Sequence, residues 1–302
     1  MTCLALSSMW AVGRFATAAA FRRAAAELGF DAVEFNYEAP PSWIAEPGDG
    51  PPLRSVHNPC PARQTDDGRW SYELSLGATD EEERRAAVRL TKATIDFAAR
   101  LGAEAVVVHV ATIPVDSTKQ ARLRELVAAG ERGSDEFWTL RDALAAERAA
   151  NAGPYLEQSL RSIREIAPYA AARGVSIGLE TRYNVFEIPN LEEMLLLLEA
   201  GQEGPVGYWH DVGHAAGQEL LGFGTQRAWL ETLGPRIIGV HLHELRGTRD
   251  HFAIGTGEME WSLVAAHLPP HALRVCEFDR RNPPEDVARA RSVLTRFGVL
   301  AH

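Results

Sequence analysis

One joint, used three times, limits the folds open to this chain more than any other feature. An amphipathic segment ends on glycine and passes within a few residues into a short apolar run. Leu28-Gly29 leads into Ala32-Val33-Glu34-Phe35, Leu101-Gly102 into Ala105-Val106-Val107-Val108, and Arg173-Gly174 into Val175-Ser176-Ile177. Glycine just past a helix accepts the left-handed cap that other side chains resist. The repeat of helix, tight turn and strand argues for βαβ units and a parallel sheet. Strands are expected over 4–8, 32–36, 53–57, 105–110, 175–181, 206–211, 237–243 and 273–278, and helices over 15–28, 79–101, 155–173, 191–200, 225–233, 261–268 and 285–297. The stretch 40–52, bounded by prolines, offers at most a short helix. Eight such strands in 302 residues match one (β/α)8 TIM barrel spanning 1–302. A doubly wound open sheet is the alternative, but no G-x-G-x-x-G follows the first strand. The segment 116–153 is too long for an ordinary βα loop. It is expected to form a helical insertion after the fourth strand, over the carboxyl face of the barrel.

Composition narrows the function classes. No apolar run approaches the roughly 20 residues that span a bilayer, so no membrane segment is expected. The mildly apolar start, residues 1–12, lacks a basic leader and reads as a buried first strand. The three cysteines, Cys3, Cys60 and Cys276, are odd in number and far apart, which fits buried thiols in a reducing cytoplasm. A net charge of −10 disfavours nucleic acid as a partner. A homo-oligomer is compatible with the sequence.

Ionisable residues gather at the expected strand ends. Glu34, His57, His109, Glu180, Asp211 with His214, His241 with His243, and Glu277 all fall there. In a parallel barrel every carboxyl end lies at one mouth, where active sites are built. Alternation turns Val240 and Leu242 toward the outer helices and His241 and His243 inward. It likewise turns Ile177 and Leu179 outward, Glu180 inward, and carries Trp209 inward with Asp211. A lone histidine there is usually structural, but several buried carboxylates together need a compensating charge. A divalent cation supplies it, and a carboxylate–imidazole shell suits Mn²⁺, Co²⁺, Zn²⁺ or Mg²⁺.

The segments Gly178–Asn190 (GLETRYNVFEIPN), Val206–Ala215 (VGYWHDVGHA), Ile237–Gly247 (IIGVHLHELRG), Asp250–Trp261 (DHFAIGTGEMEW) and Arg274–Asp279 (RVCEFD) follow one another in an order that resembles the xylose isomerase-like barrel superfamily, in its sugar-phosphate isomerase/epimerase branch. The resemblance covers nearly the whole chain. It implies one divalent metal ion held by Glu180, Asp211, His243 and Glu277, with both glutamates also moving the substrate proton. It implies a substrate contact at His214, and Arg249 by its spacing from His243. Endonuclease IV shares the barrel and carries three zinc ions, and its pattern adds His57, His109 and His251. Here Arg249-Asp250-His251 places arginine where that pattern expects a carboxylate, and His109-Val110-Ala111 replaces its His-Pro-Gly. Both departures weigh against a three-metal cluster.

The expected activity is therefore a metal-dependent isomerase or epimerase acting on a small sugar or keto-sugar through proton abstraction next to a carbonyl. Trp209 and Trp138 are candidate walls against the sugar face, with barrel filler the other role open to Trp209. The alternatives are a keto-inositol or keto-sugar dehydratase at the same site, an endonuclease IV-like zinc phosphodiesterase acting on abasic DNA, and a sugar-binding barrel without catalysis.

Overall fold

The computed structural model describes residues 2–65 and 68–301. Met1, at the edge of the expected first strand, lies outside them. Eight parallel strands close into a barrel: β1 (Leu4–Ser7), β2 (Ala32–Phe35), β3 (Leu53–His57), β4 (Ala105–Val108), β5 (Ser176–Glu180), β6 (Val206–Asp211), β7 (Ile237–Leu242) and β8 (Leu273–Cys276). Each pairs with its sequence neighbours, and β8 returns to β1 with Leu4 beside Arg274 and Leu6 beside Cys276. The ring leaves no free edge and sets all carboxyl ends at one mouth. Gly29, Gly102 and Gly174 have φ of 88°, 71° and 66°, the left-handed geometry the repeated joint requires.

Three helices depart from expectation. The helix expected over 155–173 begins twenty residues earlier and runs Asp135–Ala171, 37 residues, with Pro154 inside it. Proline removes one N–H, which frees the carbonyl of Ala150; that residue is exposed, so water can satisfy it. A helix over Thr118–Ala128 completes the insertion after β4. An unexpected helix, Val212–Leu220, starts directly from β6 with Asp211 as its cap, the Asp211 carboxylate accepting from the His214 N–H at 2.7 Å. Gly213 and Gly217 hide it from propensity reading. The last expected helix is split into Pro284–Val287 and Ala290–Arg296.

The main core lies between strands and helices and contains Ile177, Leu179, Val240 and Leu242, so the inward–outward alternation holds. A smaller cluster fills the barrel itself: Ala5, Ala32, Ala105, Val107, Trp209, Leu273 and Val275. Trp209 is fully buried, so of its two open roles the structure gives barrel filler and not a substrate wall. Its ring fits only because its neighbours are glycine: a Cβ on Gly239 would stand 2.1 Å, and one on Gly178 2.6 Å, from indole carbons. The insertion is anchored by Arg148, whose guanidinium donates to both carboxylate oxygens of Glu193 (2.9 and 2.7 Å) and to the carbonyls of Val185 and Glu187.

Gly239→Ala is expected to destabilise the barrel, since a closed ring of strands gives the indole nowhere to move. Overpacking of this kind costs about 1–3 kcal/mol, read as a lower urea midpoint with unchanged slope. An unchanged midpoint would show that Trp209 does not fill the barrel this tightly.

Candidate functional site

The mouth at the carboxyl ends holds the clustered groups. Glu34, Glu180 and Asp211 are fully buried and Glu277 nearly so, at 5% exposure. His241, on β7, lies at their centre. Its Nδ1 is 3.0 Å from Glu180 and 3.2 Å from Glu277, and its Nε2 is 3.2 Å from Glu34. Glu34 also accepts from the Ser55 hydroxyl at 2.7 Å. Glu34 thus orients the imidazole from behind, leaving Nδ1 toward the other three carboxylates, the arrangement that supports a metal-bound histidine.

One donor atom each from Glu180, Asp211, His241 and Glu277 lies within 4.8 Å of the others. The sequence reading placed His243 in this set; the structure brings His241 there instead. Both imidazoles share a face, as the two-residue period requires, but β7 ends at Leu242. His243, one step beyond, turns to Asp211, with Nε2 3.0 Å from the carboxylate. The His251 N–H donates to Nδ1 of His243 at 3.0 Å, which keeps the ring proton on Nε2, facing Asp211. Gly213 makes room for this ring: a Cβ there would stand 2.1 Å from His243 Cε1.

Two further groups adjoin the first. His57, His109 and Glu180 form one, with Nε2 of His57 at 3.2 Å and of His109 at 2.6 Å from Glu180. His214, Asp250 and His251 form the other, Asp250 standing 3.6 Å from His214 Nε2 and 3.8 Å from His251 Nε2. In each of three histidines Nδ1 faces a backbone carbonyl: His57 that of Asn58 (3.3 Å), His214 that of Thr181 (2.9 Å), His251 that of Glu277 (3.1 Å). A carbonyl only accepts, so Nδ1 carries a hydrogen in each; Nε2 of His57 donates to Glu180, while Nε2 of His214 and of His251 is left toward Asp250. His251 reaches its place with φ of 59°, a left-handed conformation uncommon for a side-chain-bearing residue. The loop carrying Asp250 and His251 is folded by Glu244, which accepts from the N–H groups of Gly255 and Met259 and from the Trp261 indole.

Charge balance explains the protonation pattern. Burial pushes the Glu180 carboxyl up, but His109, His241 and His57 beside it outweigh burial and hold it well below its usual range. Burial disfavours charge on His241, yet Glu277, Glu34, Asp211 and Glu180 raise it well above the usual imidazole value. His109 goes the other way, pushed down to about 3 by burial and by the nearby Arg182 guanidinium. Arg182 lies 3.4 Å from Glu180 and 2.8 Å from Glu187. It escaped the sequence reading, although alternation places it on the inward face two residues after Glu180.

A cavity of about 260 Å³ opens over the cluster, bounded by Tyr37, His109, Arg182, Tyr183, His214 and Glu277 among others. Two sequence candidates lie away from it. Arg249 is exposed, its guanidinium 6.0 Å from the Phe252 ring, because the turn of the hairpin formed by Glu244–Arg246 and Arg249–Phe252 sends Asp250 inward in its place. Trp138 is 46% exposed and packs on Phe137 and against Gly222, outside the cavity lining. A larger hollow, about 440 Å³, lies beside the strand starts at Cys3, Arg54 and Leu273 and contains none of the clustered groups.

The donor set fits a divalent cation: oxygen and imidazole donors, buried, close enough to share one ion, with net negative charge to offset. The described cysteines Cys3, Cys60 and Cys276 are free thiols outside these groups. No helix among the described residues is long and apolar enough to cross a membrane.

Known proteins bear out the architecture. The chain is 27% identical over 183 residues to the uncharacterized protein y4fM of Sinorhizobium fredii (strain NBRC 101917 / NGR234), a match covering 60% of this chain and 48% of that protein, so it spans about half the relative's length. A crystal structure of a D-tagatose 3-epimerase-like protein superimposes with TM-score 0.68 at 22% identity, over 98% of this chain and 97% of the other. The apo 3-keto-D-glucoside 4-epimerase YcjR from E. coli superimposes with TM-score 0.69 at 15% identity, over 98% and 100%. At these identities the likeness is one of fold. The sequence pattern described as Xylose isomerase-like TIM barrel matches residues 22–297, and the chain belongs to that family.

Proposed function

We propose that this chain is a divalent-metal-dependent isomerase or epimerase of a sugar or keto-sugar. The observation that carries the reading is the pair Glu180 and Glu277, two buried carboxylates that converge on one imidazole nitrogen beneath a small polar cavity. Such a pair can take a proton from the carbon next to a carbonyl and return one to it. Glu180, Asp211, His241 and Glu277 would hold the ion, which supplies Lewis acidity at the carbonyl oxygen when bound. His109 hydrogen-bonds with Glu180 and fixes its orientation. His214, its Nδ1 hydrogen spent on Thr181, accepts from a substrate hydroxyl through Nε2. Arg182 lines the cavity, so it, and not Arg249 whose substrate contact the resemblance implied, would stabilise charge developing on the substrate oxygen. The epimerase neighbours named for tagatose and for a keto-glucoside support the substrate class.

A second reading, phosphodiester hydrolysis by several ions, is favoured by one observation: Asp250 supplies His214 and His251 with the carboxylate that Arg249 seemed in sequence to displace. Counting ions separates the two. One tightly held ion per chain is expected, with His109→Ala retaining it and losing turnover. Three zinc ions in the wild type, loss of one in that variant and efficient cleavage of abasic DNA would establish the hydrolase.

Metal binding is expected to release protons. His241 is held protonated by its carboxylate neighbours, and a ligand nitrogen must give its proton up. Titrating the metal-free chain with Mn²⁺ or Zn²⁺ in weak buffer should acidify the solution, and affinity should fall as pH is lowered. An affinity independent of pH would remove His241 from the ligand set.

Glu180→Gln and Glu277→Gln are each expected to lower turnover by about 10²–10⁴-fold, the usual worth of a general acid or base. Solvent deuterium uptake by a ketose or keto-sugar panel gives the rate, and elemental analysis gives metal content. Wild-type rates in either variant, with metal bound, would contradict the assignment.

A further inference from the structure

A line of aromatic rings leads from the surface to the cluster. Trp70 and Tyr72, on the loop after β3, are 41% and 46% exposed and stack with centroids 5.8 Å apart and planes 8° from parallel. Tyr72 meets Tyr37 at 5.3 Å, and Tyr37 meets His57 edge-on at 5.5 Å. Tyr72 and Tyr37 line a second cavity of about 180 Å³, which shares Tyr37, His109 and Arg182 with the cavity over the glutamates. Asn58, Arg182 and Glu187 supply polar groups to it, and the Asn58 side-chain oxygen has no hydrogen-bond partner among the described residues. The exposed Leu195, Leu196 and Phe297, by contrast, lie outside both cavities.

Two large rings held open to water forgo hydrophobic stabilisation unless something covers them. What the cavity offers is aromatic surface from Tyr37 and Tyr72 together with charged and amide groups from Arg182, Glu187 and Asn58. A pyranose or similar ring presents the matching pair of surfaces, C–H bonds on its face and hydroxyls at its rim. The cavity shares Tyr37, His109 and Arg182 with the site, so a ring seated in it would adjoin a sugar over Glu180 and Glu277.

We infer that this cavity is a subsite for a second ring, and that the substrate is a glycoside whose reacting sugar lies over the two glutamates while its aglycone or second sugar packs against Tyr37 and Tyr72, the latter held in place by the stacked Trp70. The inference rests on the sugar reading above and adds to it the size of the substrate. Free monosaccharides would occupy only the inner cavity.

The test uses metal-loaded protein and a panel of methyl and phenyl pyranosides of the common hexoses and pentoses, with phenol as control, measured by calorimetry. For at least one sugar the phenyl glycoside is expected to bind at least about tenfold more tightly than its methyl counterpart, a difference within reach of one ring stacked on aromatic side chains. Trp70→Ala and Tyr72→Ala should erase that preference while leaving methyl glycoside affinity and metal content unchanged, and Trp70→Phe should keep most of it. Equal binding of methyl and phenyl members by the wild type, or a preference that survives both alanine substitutions, would overturn the subsite and leave the isomerase reading standing. If no member of the panel binds while metal is held, the sugar reading itself fails and the subsite with it.

Discussion

A carboxylate shut away from water persists only where positive charge or hydrogen-bond donors stand against it, because an uncompensated buried charge costs several kcal/mol. Glu180 is where this constraint is felt most. Its two oxygens meet His57, His109, Arg182 and His241, from four different segments of the chain. Three of those partners are in turn fixed: His57 by a carbonyl, Arg182 by Glu187, His241 by Glu34. The mouth of the barrel is thus one hydrogen-bonded assembly and not a set of independent side chains. Removing one partner of a buried pair exposes the cost of the other, commonly about 3–5 kcal/mol, so stability and site geometry are coupled here.

The same assembly accounts for elements that look unrelated to it. Asp211 caps the helix Val212–Leu220, so helix position and the Asp211 carboxylate are set together. Gly213 exists as glycine for the sake of the His243 ring, and Glu244 is consumed in folding the loop that delivers Asp250 and His251. The insertion after β4 joins through Arg148, which grips the segment after β5 where Arg182 and Glu187 lie.

The barrel and the face on which its carboxylates meet were legible because they follow from period and order. Val240 and Leu242 alternate with His241 and His243, and a parallel ring must bring the strand ends together. What escaped depends on where a strand stops. His241, within β7, joins the inner group of donors, while His243, just past the end of β7 at Leu242, stands against Asp211. The hairpin that follows decides whether Arg249 or Asp250 faces inward, and a one-residue difference in a turn leaves no mark on hydrophobic pattern. Arg182 could have been found by extending the alternation of β5 by one more step. Trp138 could not, since an aromatic residue on an insertion helix carries no sign of whether it faces the barrel or the solvent.

Trp209 has a consequence for traffic through the molecule. With its indole packed between Gly178 and Gly239, the barrel axis is filled beneath the cluster by Trp209 and the small apolar side chains around it. Whatever reaches the glutamates comes from the mouth side, through the cavity that Tyr37, Arg182, Tyr183 and His214 help to line. The ring is thus a cup and not a tube: a molecule seated over the glutamates must leave by the mouth before another can take its place.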